Sequence, residues 1–398
     1  MKGPTPRRLW KYAARCLRLQ AYLESPGDGR ESPRIAARAL LWGLLIGRLL
    51  RECSFHGVEA LVRSPVRRAL PVTARFGDDA LAYFTERLEA SATRQALAAV
   101  MRRSKRNKAF ENSRFIGLAV DGTTAGRRGP QAQTCSLCRP FGKDGEIFGY
   151  LHHFAMISVV GTGLTLPVDV EPYGPGDSEY AAGLRLLRRA VGQLGGRFAD
   201  YLVADGEFAR APFLHAAGEL GLRVIVRLKA NLPELLQAAQ HRFDGQPPHT
   251  VLVHDGERVE LWDADDFDPW ETLRWKTVRV LRYRQFKPSG EVVEALWLTD
   301  FSARRVGSRE LYRLAKTRWE IENQGFNDAK NRYGLEHICH HHPNSLLLVW
   351  LITLLALTIE RLYRLRYLHR GSHPVRTAIE LLRLLRLGFS SAPLTDTS

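Results

Sequence analysis

The run RWEIENQGFNDAKNRYGLEH, Arg318 to His337, places a cation and a carboxylate, Arg318 and Glu322, four residues apart. On a helix that spacing puts both on one face. Two further carboxylates each close an apolar run, Asp121 in FIGLAVDGTT and Asp205 in DYLVADGEFA. Carboxylate oxygens suit hard divalent cations such as Mg²⁺ or Mn²⁺, whose remaining ligands are waters and substrate phosphate oxygens. Two such ions roughly 4 Å apart can activate an attacking water or hydroxyl and stabilise the leaving oxygen of a phosphodiester.

Each group alone has an ordinary explanation. Asp-Gly after an apolar run is a turn former, and Arg318 with Glu322 is a surface salt bridge. Together, two strand-end acids and one helix acid make the donor set that a two-metal site requires. Helix phase also separates the neighbouring acids. At about 100° per residue, Glu320 points some 200° away from Glu322, whereas Trp319, Glu322 and Phe326 share the face of Arg318.

Three strand-like segments position the first aspartate: FIGLAVD, IFGYLHHFAMISVVG and LTLPVDVEP, each bounded by Gly, Pro or Asp. A helix near SEYAAGLRLLRRAVGQL, the strand DYLVAD, a short helix FARAPFLHAAGEL and the strand RVIVRL follow. Strands in a meander and then alternating with helices predict a mixed α/β core over residues 111–230, with Asp121 and Asp205 at C-terminal strand ends. Residues 231–303 form a β-rich insertion. The core resumes over 304–370, with a long helix carrying Glu322 and a second, apolar one. A helical tail, 371–398, ends in a frayed SSAPLTDTS.

Residues 1–110 read as a helical domain, with apolar residues at helical spacing and arginines between them in RIAARALLWGLLIGRLLR. They hold 22 Lys and Arg against 9 Asp and Glu, so +13 of the net +16 of this 398-residue chain sits there. A charge concentrated in this way points to a polyanion, and so to DNA binding by this domain. Five irregularly spaced cysteines suggest reduced thiols in a cytoplasmic protein. The N-terminus lacks the features of a secretory signal. The most apolar run, Leu346 to Ile359, is about fourteen residues, too short to span a bilayer, and reads as a buried core helix with no membrane partner.

These segments resemble the DDE class of insertion-sequence transposases, in the type-4 group that carries a β-strand insertion before the glutamate. The similarity runs through IENQGFNDAKN and GLEH and covers roughly residues 115–360. It implies an RNase H-like mixed-sheet core in which Asp121 is the first catalytic and metal-holding carboxylate, Asp205 the second, and Glu322, in Arg-Trp-x-Ile-Glu, the third. It implies two Mg²⁺ or Mn²⁺ ions and transposition between terminal inverted repeats and target DNA by a DNA-bound homodimer, in a bacterial, nucleoid-associated setting. A metal-dependent nuclease that only hydrolyses, or a non-enzymatic DNA-binding relative, are the other readings. The family signature also places a Tyr three residues before the Arg and a Lys seven after the Glu. Here Ala315 and Ala329 stand at those positions. Tyr312, one turn earlier, and Lys330, one residue later, are the expected DNA contacts in their place, together with Arg318. Trp297 would stack on an unpaired base, a role the resemblance suggests for aromatics in this region, although its alternation with Leu298 fits burial as well.

Other groups invite metal or phosphate readings. Cys135-x-x-Cys138, followed by His152 and His153, has the outline of a zinc site, but structural zinc wants a second close pair, and free loop thiols are the expectation. The cluster His337, Cys339, His340, His341 and His342 reads as a polar loop, because adjacent histidines rarely converge on one ion. Glu171, Asp177 and Glu179 are expected to serve as N-terminal charge for the following helix, and Arg210 and Lys229 as solvated surface charges.

Overall fold

A computed structural model describes residues 5–369 and 374–390 of the chain, and among these the alternating segments fold into ten strands. The first four are β1 (Gly117–Arg128), β2 (Cys138–Lys143), β3 (Glu146–Val160) and β4 (Leu166–Tyr173). Then come β5 (Tyr201–Ala204) and β6 (Arg223–Leu228), and finally β7 (Thr250–His254), β8 (Glu257–Phe267), β9 (Val278–Phe286) and β10 (Val292–Thr299). All ten belong to one sheet in the order β2-β3-β1-β5-β6-β10-β9-β8-β7, with β4 pairing the far half of β3 beside β2. The β1, β5 and β6 strands run parallel, while β1, β3 and β4 form an antiparallel meander. This is a mixed α/β architecture of the RNase H-like kind.

The expected boundary after β6 is present in composition but not in hydrogen bonding. The four later strands extend the same sheet, because β10 pairs antiparallel with β6 through Leu296–Leu228 to Thr299–Ile225. A helix at 233–243 precedes them. Trp297, opposite Arg227 where β10 joins β6, is fully buried, edge-on to Trp319 at 5.6 Å.

In chain order the helices are α1 (Pro6–Lys11), α2 (Gln20–Glu24), α3 (Ala37–Leu50), α4 (Phe55–Arg63), α5 (Asp78–Arg87) and α6 (Ala90–Arg106). Within and after the parallel strands lie α7 (Glu179–Leu194), α8 (Ala211–Glu219) and α9 (Pro233–Phe243). The C-terminal set is α10 (Ser308–Lys316), α11 (Arg318–Glu320), α12 (Asn327–Tyr333), α13 (Pro343–Tyr367) and α14 (Ala378–Ser390). The stretch expected to fray, 391–398, lies outside the described residues.

The apolar run Leu346 to Ile359 is the middle of α13, which is long and apolar enough to cross a membrane yet is enclosed on all sides. It packs on β4 and against α3, α5 and α6. Asn344 fixes the junction: its amide donates to the carbonyls of Thr85, Glu86 and Leu88 as α5 ends. The N-terminal helices therefore share a hydrophobic core with the rest of the chain, and part of their positive charge is internal. Arg48 is buried and donates to Cys339 Sγ; Arg51 stacks on Tyr333. Arg94 bridges Asp169 and Glu171.

Candidate active site

Strand pairing sets the first two carboxylates side by side. The parallel ladder between β1 and β5 ends at Val120–Ala204, so Asp121 and Asp205 are the next residue on each strand. Contrary to expectation, β1 does not stop at Asp121. It continues to Arg128 on β3 alone, while β5 turns away into a short 3₁₀ turn, Gly206–Phe208. The divergence opens a fork with an aspartate on each prong.

Glu322 reaches this fork from the opposite side. The long helix expected over 308–330 is in fact broken. It ends as α10 at Lys316, restarts at Arg318 and passes through a π-helical turn, Ile321–Phe326, before α12. Thr317 marks the break and is tied to the sheet, its hydroxyl 3.0 Å from the Tyr201 hydroxyl of β5. Gly325 then lets the turn lie against β3, since a Cβ there would stand 2.9 Å from the Met156 methyl.

Arg318 is the centre of the arrangement. Its buried guanidinium lies 2.5 Å from Glu322, 3.5 Å from Asp121 and 3.9 Å from Asp205. The last distance is too long for a hydrogen bond. Accordingly Asp205 Oδ1 and Arg318 Nε are both shut from solvent without a hydrogen-bond partner. Asp205 Oδ2 accepts from Lys229 Nζ at 2.5 Å, so that lysine is not the free surface charge expected. Arg210 pairs with Glu207.

Burial of Asp121 pushes its carboxyl up to about 7; Arg318 opposes the shift, and Glu322 and Glu179 add to it. Burial also acts on Asp205, but the hydrogen bond from Lys229, the Gly206 N–H and the charge of Arg318 outweigh it and hold that carboxyl below its ordinary range. An oxygen-rich fork around one cation, with an orphaned carboxylate oxygen aimed inward, fits the hard divalent ions that carboxylates select.

Glu179 is the carboxylate that sequence reasoning set aside. Ser178 caps α7 by accepting from the Ala181 N–H, which turns Glu179 back toward β1. Its carboxylate packs against Gly122, where a Cβ would lie 2.2 Å from it, and accepts from the Tyr173 hydroxyl. Burial raises its carboxyl. Glu171 and Asp177 are instead consumed by arginines, Glu171 by Arg94, Arg185 and Arg189, and Asp177 by Arg185. The rejected acid of the Glu322 helix also has a separate task, as Glu320 accepts from the Gly161 N–H and the Thr165 hydroxyl.

Lys330 joins the site and Tyr312 does not. Its Nζ donates to Thr123 Oγ1 at 2.7 Å, two residues beyond Asp121, and lies 3.3 Å from Glu336. The π-helical turn explains this placement. Such a turn takes up one more residue than an α-turn, so a lysine eight residues after Glu322 arrives about where a lysine seven residues after would stand on an unbroken α-helix. Tyr312 is fully buried between Tyr283 and His254. Tyr312 and Trp297 thus pack the protein interior, and the expectation that they touch DNA is replaced by that role.

Residues 113–359 match the family described as the transposase DDE domain. No curated protein matches the chain. Among solved structures, the chain is similar to the piggyBac transposase in a cryo-EM synaptic complex with hairpin DNA. The likeness has a TM-score of 0.50 at 14% identity and covers 98% of this chain and 81% of that one. It is a likeness of fold.

Proposed function

This chain belongs to the DDE-domain transposases, and from that premise we propose that Asp121, Asp205 and Glu322 are the carboxylates with which it cuts DNA at the ends of a mobile element and joins the freed 3′-hydroxyl to target DNA. The observation that carries the assignment is the convergence of these three acids, distant in sequence, on the single guanidinium of Arg318.

The three carboxylates would hold two divalent ions, Mg²⁺ or Mn²⁺, which supply a nucleophile at neutral pH and charge stabilisation at the leaving oxygen. Asp121 and Asp205, anchored on adjacent strands, provide the rigid side of the site. Glu322, whose side chain is 40% exposed, provides the adjustable side. Arg318 restrains all three and keeps mutual repulsion from splaying them. Lys330, beside Thr123, offers a point charge to a DNA phosphate. Glu179 backs Asp121 through Gly122 and shapes the charge of the fork. The exposed basic surface of the N-terminal helices would hold the DNA, and two copies on paired element ends would form the active assembly.

Strand transfer of a labelled element end into a plasmid tests the reading. Joined product is expected; nicking alone would indicate a nuclease, and a mobility shift without cleavage a binder. Replacement of Asp121, Asp205 or Glu322 by Ala should each abolish Mg²⁺-dependent cleavage with DNA binding retained. A fully active Glu322→Ala protein would overturn the assignment.

A further inference from the structure

Outside the carboxylate fork, one cluster brings together four side chains that the sequence scatters over more than two hundred residues. Cys135, Cys138, His152 and His341 each place one ligand atom within 4.8 Å of all the others. We propose that these four residues bind one zinc ion in a closed structural site, which clamps the β2–β3 edge of the sheet to the connection between α12 and α13.

The distances have the dimensions of a tetrahedron. Zinc–sulfur bonds of about 2.3 Å and zinc–nitrogen bonds of about 2.0–2.1 Å place two sulfurs about 3.8 Å apart and a sulfur and nitrogen about 3.5 Å apart. The Cys135 and Cys138 sulfurs are separated by 3.7 Å, and they lie 3.5 and 3.3 Å from His152 Nε2. The Cys135 N–H donates to Cys138 Sγ at 3.3 Å, a contact that favours a thiolate at that sulfur.

His341 supplies the second, independent observation. Both of its ring nitrogens are shut from solvent and neither has a hydrogen-bond partner. Imidazole nitrogens shut from water and left unpaired are costly, and a ligand bond to zinc removes that cost at one of the two. Two neighbouring histidines have other partners, His340 in Ser345 and Glu86 and His153 in Tyr173, and His342 stacks on His340 and lies outside the cluster. Two thiolates and two imidazoles without a carboxylate select zinc over the ions of the fork. Four protein ligands leave no position open for chemistry, so the site is structural.

Its place in the fold gives it a consequence. His152 pairs across the sheet with Cys138 on β2 and with Ala125 on β1. The next residue, Gly126, donates its N–H to Glu336, the partner of Lys330. Zinc would therefore hold the loop 334–342 where Lys330 and Glu336 engage the end of β1.

Elemental analysis of the full-length protein, purified under reducing conditions without chelator or a metal-affinity column, tests the site. About one zinc per chain is expected, lost in Cys135→Ser and His341→Ala and kept in His153→Ala. Cobalt added to the metal-stripped wild type should give the visible absorption of a tetrahedral thiolate-bound ion, a readout that needs no variant to fold. Zinc below a tenth of that stoichiometry with no such cobalt spectrum would overturn the proposal. So would a Cys135–Cys138 disulfide in the freshly purified protein, or zinc retained by His341→Ala and lost from His153→Ala. None of these readouts depends on DNA cleavage, so they stand or fall apart from the assignment of the carboxylates.

Discussion

At the scale of single residues, position relative to Arg318 separates acids that look alike in the sequence. Glu320→Ala should leave cleavage within a few-fold of wild type but lower the unfolding free energy by about 1–3 kcal/mol in a urea titration, because the Gly161 N–H and Thr165 hydroxyl lose a buried acceptor. Gly122→Ala should depress cleavage, since its new methyl would overlap the Glu179 carboxylate. Adding Glu179→Ala should bring activity back toward that of Glu179→Ala alone. The raised carboxyl of Asp121 gives a pH signature. Its ionisation in the folded protein costs nothing below the ordinary value of 3.8 and the full amount above about 7. In chelator, Asp121→Asn should therefore gain stability over wild type as the pH rises from about 4 to 8 and gain nothing below pH 4, in urea titrations across that range. The three carboxylates that meet at Arg318 could be picked out of the sequence, because two close apolar runs and the third has a fixed helical phase. Glu179 could not, since its direction depends on how Ser178 caps the helix and on Gly122 of β1, distant in sequence.

Among the elements, the π-helical turn between Glu322 and Lys330 decides which residues share the face of the site. Deleting the exposed Asn323 would leave Lys330 seven residues after Glu322 on an unbroken α-helix, about 20° from it. Cleavage should survive within about tenfold, one discrimination step of about 1.4 kcal/mol. Inserting an alanine at the same point leaves no turn to absorb it, and cleavage should be lost. A gel assay of element-end cutting distinguishes the two. Apolar periodicity revealed the helix but not its extra residue, because one inserted position leaves the buried residues on either side still pointing inward. The insertion strands show a similar limit. Their alternation predicted strands, whereas the pairing of β10 with β6 depends on an edge that no local pattern encodes.

For the whole molecule, basic charge and shared core pull the N-terminal region in two directions. With exposed cations on these helices, DNA affinity should fall by roughly 10³-fold between 50 and 200 mM salt in a fluorescence titration; a flat response would count against DNA binding there. Removing residues 1–110 should not release an independent catalytic unit, because it would strip α3, α5 and α6 from α13 and expose that apolar helix. The truncated chain should aggregate in size-exclusion chromatography. The sequence marked this region as helical and basic, but the charges at Arg48, Arg51 and Arg94 gave no sign that they face inward.

The enclosure of α13 also sets a timetable for synthesis. The helices α3, α5 and α6 are translated well before α13, the helix that covers their apolar faces, which follows more than two hundred residues later. At 5–20 residues per second that interval is on the order of 10–50 s, during which the faces that α13 later covers stand without it. The same interval delays the first molecule able to cut DNA.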